Sequence, residues 1–249
     1  MSYNIDQGIE KFKTGLEKLN IYLDDCQIKQ FMDYYDILIE WNNKINLTSI
    51  TEFEEVIHKH FLDSLALVMV FRPERENIID VGTGAGFPGI PIKIAFPDTR
   101  VVLVDSLKKR IGFLEETIRR LGLKNITAVH GRAEDLGKDQ NYRESFDLCT
   151  SRAVAKLSVL SEYCIPFVKK GGKFIPYKSG NIEEELDEAE NAIKILGGVV
   201  TGKKEFTLPL TNINRSLIII EKIKDTPKGI RGMPESRQRS HYNKRKEDT

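Results

Sequence analysis

Cysteine is scarce in this chain: Cys26, Cys149 and Cys164 are all it has, odd in number and far apart. That spacing excludes a disulfide framework and a Cys-based zinc site, and it fits a reducing, cytoplasmic setting. Histidine is scarce too. His58 and His60 stand two apart without a cysteine cluster, so no metal site is expected. No apolar run approaches the roughly eighteen residues of a membrane span, so no membrane partner is expected. The opening MSYNIDQGIEKF has no basic segment leading into an apolar one, unlike a secretory leader. Net charge is nearly absent as well, at +1, but it is unevenly spread. Residues 1–70 hold six Lys/Arg against twelve Asp/Glu, and residues 222–249 hold nine against four. A basic end suits phosphate contact, and a solvated disordered end has the same composition.

What is present is a globular composition, 40% hydrophobic and 30% charged, enough for one good-sized core with a small attached subdomain. Residues 4–21 place Ile5, Ile9, Phe12, Leu16 and Leu19 at helical spacing. Asp24 or Asp25 caps a second expected helix carrying Ile28, Phe31, Tyr35, Leu38 and Trp41 on one face. Trp41 there reads as core, with a base-stacking platform as the alternative. Asn42-Asn43-Lys44 interrupts the pattern, and Asn46-Leu47-Thr48 reads as a loop. Thr51 with Glu54 fits a capping box opening a third helix to about Phe71. Residues 1–73 thus read as a helical cap, closed by Pro73.

From residue 74 the rhythm becomes βαβα. Short apolar runs at Ile78–Val81, Val101–Val104, Ile126–Val129, Phe146–Cys149 and Lys173–Tyr177 alternate with amphipathic stretches at Pro88–Ala95, Lys108–Leu121, Leu157–Phe167 and Ile182–Leu196. Lys169-Lys170-Gly171-Gly172 reads as a turn. Phe206–Leu208 and Ser216–Lys222 are late strands able to form an antiparallel edge. The pattern predicts an α/β fold with a mainly parallel seven-stranded sheet and helices on both faces. Residues 74–228 form this sheet domain, and 229–249 are a basic tail with little apolar material.

Ligands of such sheets sit beyond the carboxyl ends of the strands. Four loops there have a marked composition. The first, within IIDVGTGAGFPG over Ile78–Gly89, has glycines at 82, 84, 86 and 89 after Asp80. Its third glycine comes one residue too early for the dinucleotide fingerprint, and no Gly-Lys-Ser/Thr follows as in a P-loop. The second starts at Asp105, placed to accept both hydroxyls of a ribose or to cap the segment from Ser106. The third is Gly131–Asp135 and the fourth Thr150–Ala153. Carboxylates at 80 and 105 would repel a diphosphate, which favours a phosphate-free nucleoside donor.

The acid-x-G-x-G-x-G form resembles motif I of the S-adenosylmethionine-dependent methyltransferases. A closer resemblance covers about residues 15 to 228. It rests on Trp41–Thr48 (WNNKINLT), His60–Leu65 (HFLDSL), GAGFPG within Asp80–Gly89, Val104-Asp105-Ser106 followed by Lys108-Lys109-Arg110, Gly131–Glu134 (GRAE) and Ser151-Arg152-Ala153. These phrases are similar to those of the RsmG (GidB) family of bacterial small-subunit ribosomal RNA methyltransferases. The resemblance implies a Rossmann-like class I S-adenosylmethionine-dependent methyltransferase. Its expected reaction is methyl transfer to N7 of a guanine in the conserved decoding-region loop of 16S rRNA. The implied cofactor is S-adenosyl-L-methionine. The implied partner is 16S rRNA in the small ribosomal subunit or its assembly intermediate, with no stable protein partner.

By the same resemblance Gly82, Gly84 and Gly86 border the methionine portion of the donor, Asp105 its ribose, and Ala133 and Glu134 its adenine, with Asp80 also among the donor-binding residues. Phe87 stands near the donor or simply packs. No catalytic dyad is expected, because guanine N7 carries a lone pair and no proton. Arg152 is the RNA-side candidate, with Arg132 and Lys108 at the pocket mouth and His60 and Ser64 in the groove between cap and sheet. Solvated surface charge is the alternative for Lys108, Lys109 and Arg110. After Thr226-Pro227-Lys228 the tail GIRGMPESRQRSHYNKRKEDT departs from the family's basic ending. Rival readings are a methyltransferase with another acceptor and a nonenzymatic RNA- or ribosome-associated protein that keeps the fold. An NAD-dependent oxidoreductase fails on the glycine spacing.

Overall fold

Two amphipathic helices begin the described chain. The structure, a computed structural model, describes residues 5–152, 155–179 and 182–227. Ala153, Lys228 and the basic tail 229–249 lie outside the described residues. Helix α1 (Ile5–Lys18) buries Phe12 and Leu16 one turn apart. Helix α2 (Asp25–Ile45) opens on Asp24, whose carboxylate accepts the Gln27 N–H at 2.8 Å while the Gln27 side chain accepts the Asp24 N–H at 3.0 Å. This reciprocal cap satisfies two donors that the first turn would leave orphaned. Phe31, Tyr34, Ile37 and Leu38 then form the buried stripe. Phe12, Phe31 and Phe61 meet there with ring centroids 4.9 to 5.9 Å apart. Such pairs contribute roughly 0.5–1.5 kcal/mol each beyond burial. Trp41 packs edge-on against Phe113 at 5.9 Å, as a core-flanking residue.

Two expectations for this region change. Asn42-Asn43-Lys44 does not interrupt α2, which runs to Ile45. The Asn42 side chain instead accepts the N–H groups of Leu47 and Thr48 at 2.7 and 2.9 Å, holding the following loop from inside the helix. The third helix is neither capped by Thr51 nor continuous. Helix α3 (Phe53–Val56) starts after Glu52 rather than Thr51 and has no side-chain cap, while Glu54 pairs with Lys11 at 2.6 Å. A π-helical turn follows at Ile57–Leu62, then α4 (Asp63–Leu65) and a 3₁₀ turn at Ala66–Met69. Wide turns of this kind are frequent at functional sites.

The sheet domain follows as β1 (Asn77–Val81), α5 (Gly89–Ala95), β2 (Arg100–Asp105), α6 (Lys108–Arg120), β3 (Ile126–His130), α7 (Ala133–Leu136), β4 (Phe146–Ser151), α8 (Leu157–Cys164), β5 (Val168–Lys178), α9 (Glu183–Ile195), β6 (Gly198–Thr207) and β7 (Asn214–Lys222). The seven strands lie in the order β3-β2-β1-β4-β5-β7-β6. The first five are parallel, and β7 runs antiparallel to both β5 and β6. Ile78 faces a core shared with α1, α2, α5 and α6, and Ile79 faces one shared with α8 and α9. That alternation places helices on both faces. The chain leaves β1 toward β2 on one side and returns to β4 on the other. The carboxyl ends of β1 and β4 are thus the switch point where a cleft opens.

Two strands are longer than their apolar runs suggest. The Lys169–Gly172 turn is absent. Those residues belong to β5 and are absorbed by an irregular register between Phe146↔Val168 and Leu148↔Lys173. Strand β6 begins at Gly198, well before Phe206, and pairs with β7 from Gly198↔Lys222 onward.

Candidate active site and family

A cavity of about 710 Å³ opens at the switch point. One end is walled by the turn after β1, where Gly82, Thr83 and Gly84 line it. Gly84 has φ +63°, and a Cβ there would meet nothing within 4 Å, so this backbone borders open space. Gly86 is constrained differently. At φ +91° a Cβ would lie 2.8 Å from the Tyr34 hydroxyl and 2.5 Å from Ile90, so the tight packing of the turn requires glycine. The Tyr34 hydroxyl donates to the Ala85 carbonyl, tying helix α2 to the turn. Burial holds that phenol well above its ordinary value, which keeps it a donor.

Asp105 ends β2 and is 3% exposed on the cavity wall. Its carboxylate accepts the Gly84 N–H at 3.0 Å, the Leu107 N–H at 2.9 Å and an Arg110 N–H at 3.1 Å. Asp105 therefore both shapes the entry to α6 and presents a carboxylate to the cavity. Because the Gly84 N–H is given to a carboxylate, the turn is not a phosphate cradle. Arg132, Ala133 and Glu134 continue the wall beyond β3.

The other end is a polar and aromatic cluster. The His60 ring stacks on Phe87 with centroids 4.3 Å apart and planes at 14°. The Arg152 guanidinium lies 5.2 Å from the Phe87 centroid, within cation–π range. Arg152 also approaches His60 Nδ1 at 3.0 Å and Asp63 Oδ2 at 2.8 Å. Asp63 is shared, since its Oδ1 accepts from Arg215 Nε at 3.1 Å. Burial, with the Arg152 charge second, pushes His60 down to about 3, so the imidazole is neutral. Burial raises the Asp63 carboxyl, and the two arginines oppose that rise.

Four expected site residues are off this wall. Asp80 is fully buried. One oxygen of its carboxylate accepts the Thr83 hydroxyl at 2.6 Å and the Gly89 N–H at 2.9 Å, so it braces the turn from beneath. Burial pushes the Asp80 carboxyl up to about 6. Gly86 faces Tyr34 and Ile90 rather than the cavity. Ser64 is buried and donates to the His60 carbonyl at 2.5 Å, supporting the π turn. Lys108 is exposed at the start of α6, outside the lining. Gly82, Gly84, Phe87, Asp105, Ala133, Glu134, Arg132, Arg152 and His60 do line this same cavity. Tyr34, Thr48 and Arg215 join the site as well, through contacts that no sequence spacing announces. Among the described residues no cluster of three or more His, Cys, Asp or Glu could hold a metal ion, and no helix is long and apolar enough to cross a membrane.

The profile of the family described as GidB, rRNA small subunit methyltransferase G, matches residues 27–216. The chain belongs to this family. A GidB-family relative, ribosomal RNA small subunit methyltransferase G of Lachnoclostridium phytofermentans, is 56% identical over 87% of this chain and 90% of its own length. The protein of the same name from Lactococcus lactis subsp. cremoris is 49% identical over 88% and 92%. Solved structures share the GidB chain's fold at low identity. M. jannaschii TYW2 in complex with AdoMet is 15% identical with a TM-score of 0.54, covering 70% of this chain and 80% of that one. TrmN from Thermus thermophilus is 14% identical with a TM-score of 0.51, covering 67% and 53%. The fold is that of the Rossmann-like class I methyltransferases, with the helical segment 5–69 preceding the sheet.

Proposed function

We propose that this chain transfers the methyl group of S-adenosyl-L-methionine to N7 of a guanine in the conserved decoding-region loop of 16S rRNA. Its partner is that RNA in the small ribosomal subunit or its assembly intermediate, and its setting is the cytoplasm. One observation carries the reading: a single cavity joins a phosphate-free nucleoside wall to an aromatic and cationic cluster, in a chain of this family. The Asp105 carboxylate suits ribose hydroxyls, the open backbone at Gly84 suits the amino-acid end, and the Ala133–Glu134 wall suits the adenine. Bound there, the sulfonium supplies an electrophilic methyl group. The chain's own work is to orient the acceptor. Phe87, His60 and Arg152 form a face against which an unstacked base rests. His60 is neutral and its Nδ1 is engaged by Arg152, so it removes no proton, and guanine N7 has none to lose.

Small subunits from cells lacking this gene, incubated with the purified chain and labelled S-adenosylmethionine, should gain one N7-methylguanine. Asp105→Ala should weaken donor uptake by about tenfold or more in calorimetry, as expected for losing hydrogen bonds to a charged acceptor. Unlabelled 16S RNA, or donor uptake indifferent to Asp105, would sink the reading.

A further inference from the structure

The direction of the hydrogen bonds behind His60 fixes a donor that faces the acceptor end of the cavity. A guanidinium donates and never accepts, so His60 Nδ1, 3.0 Å from Arg152 Nη2, is an acceptor. In the neutral ring the proton is thereby assigned to Nε2. Nε2 lies 3.0 Å from Thr48 Oγ1 and donates to it. The Ile50 N–H donates to the same oxygen, also at 3.0 Å. A threonine hydroxyl has two acceptor lone pairs and one proton. Both lone pairs of Thr48 are now filled. Its proton has no acceptor among the described residues, and Thr48 lies on the cavity wall beside His60, Phe87 and Arg152. The Asn42 side chain, accepting the Leu47 and Thr48 N–H groups, holds this loop in place.

We infer that the Thr48 hydroxyl donates to O6 of the target guanine and so sets the base specificity of the transfer, an assignment that rests on the function proposed above. On the edge of a guanine that carries N7, the neighbouring group is the O6 acceptor, whereas adenine carries an N6 amino donor there. A hydroxyl with both lone pairs filled can give a hydrogen bond and cannot take one. It therefore accepts guanine and opposes adenine. Arg152, through His60, is what makes it one-directional.

The test uses small subunits reconstituted with 16S RNA whose target nucleotide is guanosine, 2-aminopurine riboside, which lacks the 6-substituent, or 2,6-diaminopurine riboside, which carries a donor there. With the unaltered chain kcat/KM should fall in that order, by about tenfold at each step for one hydrogen bond lost and then one opposed. Diaminopurine methylated as fast as guanine overturns the inference. Thr48→Val should lose about tenfold more on guanine than on 2-aminopurine, beyond whatever loss the two bases share because His60 Nε2 and the Ile50 N–H lose their acceptor, and Thr48→Ser should restore the guanine rate. An equal loss on both bases, or none on either, also overturns it. Failure of the unaltered chain to methylate guanosine at N7 is a different result: it removes the proposed function itself.

Discussion

His60 shows how far one side chain's surroundings shift its chemistry. Its ordinary value is 6.5, and in the folded chain it is about 3. Between those values the unfolded chain binds a proton that the folded chain refuses. The stability linked to neutral His60 is therefore complete above about pH 6.5 and is lost as the pH falls toward 3. Asp80 acts in the opposite sense: its folded value of about 6 exceeds 3.8, so it favours folding as the pH drops through that window. Comparison with His60→Gln cancels the Asp80 contribution, since both chains contain it. The urea midpoint of the unaltered chain should fall relative to His60→Gln as pH goes from 6.5 toward 3.5, the titrating range of about 6.5 to 3. A gap that stays constant across that range would contradict the geometry. At this scale the wall residues are legible because each ends or follows a strand: Gly82, Gly84, Asp105, Ala133 and Arg152. Asp80 and Gly86 belong to the same motif yet brace it from below, a distinction spacing does not encode. Thr48 acquires its role from His60, twelve residues away, and from Arg152, just beyond β4.

At the scale of elements, helix α2 is fastened to the sheet domain by side chains reaching main-chain carbonyls. Gln27 donates to Ile94 and Ala95 at 2.7 and 3.3 Å, Gln30 donates to Leu121 at 2.8 Å, and Tyr34 reaches Ala85 in the glycine turn. Tyr34→Phe should cost about 1 kcal/mol in urea unfolding, the net value of one hydrogen bond with its buried partner left unmet. It should also weaken donor binding a few-fold, because the turn that borders the donor loses its tether. Unchanged calorimetry would show that the turn holds itself. The βα order and the seven strands could be read from hydrophobic rhythm. Strand β6 looks short in sequence because it is an edge: Lys203, Lys204 and Glu205 are exposed and supply no apolar alternation. The third helix looked continuous because its inner stripe at Ile57, Phe61 and Leu65 survives the π turn, whose extra width has no sequence signature of its own.

Over the whole molecule, the described helices before β1 and the sheet share one interior. Phe12, Phe31 and Phe61 belong to the same buried cluster as Ile78, Leu103 and Phe113. The full chain should unfold in one cooperative transition. A chain beginning at residue 74 should lose that transition, since the faces of α5 and α6 that meet α2 would be bared. A sharp melt together with donor binding by the shortened chain would show that the sheet domain stands alone.

The strand order has a further consequence for synthesis. Strand β7 is the last strand of the described chain, yet it sits between β5 and β6. While a nascent chain is still short of Asn214, β6 has no neighbour and the β5 edge is bare, an invitation to wrong pairing. Arg215, the second cation on Asp63, arrives with that same strand. Translation thus delivers the wedge after the two pieces it joins, and the cluster beside the cavity becomes electrically complete only when the sheet does.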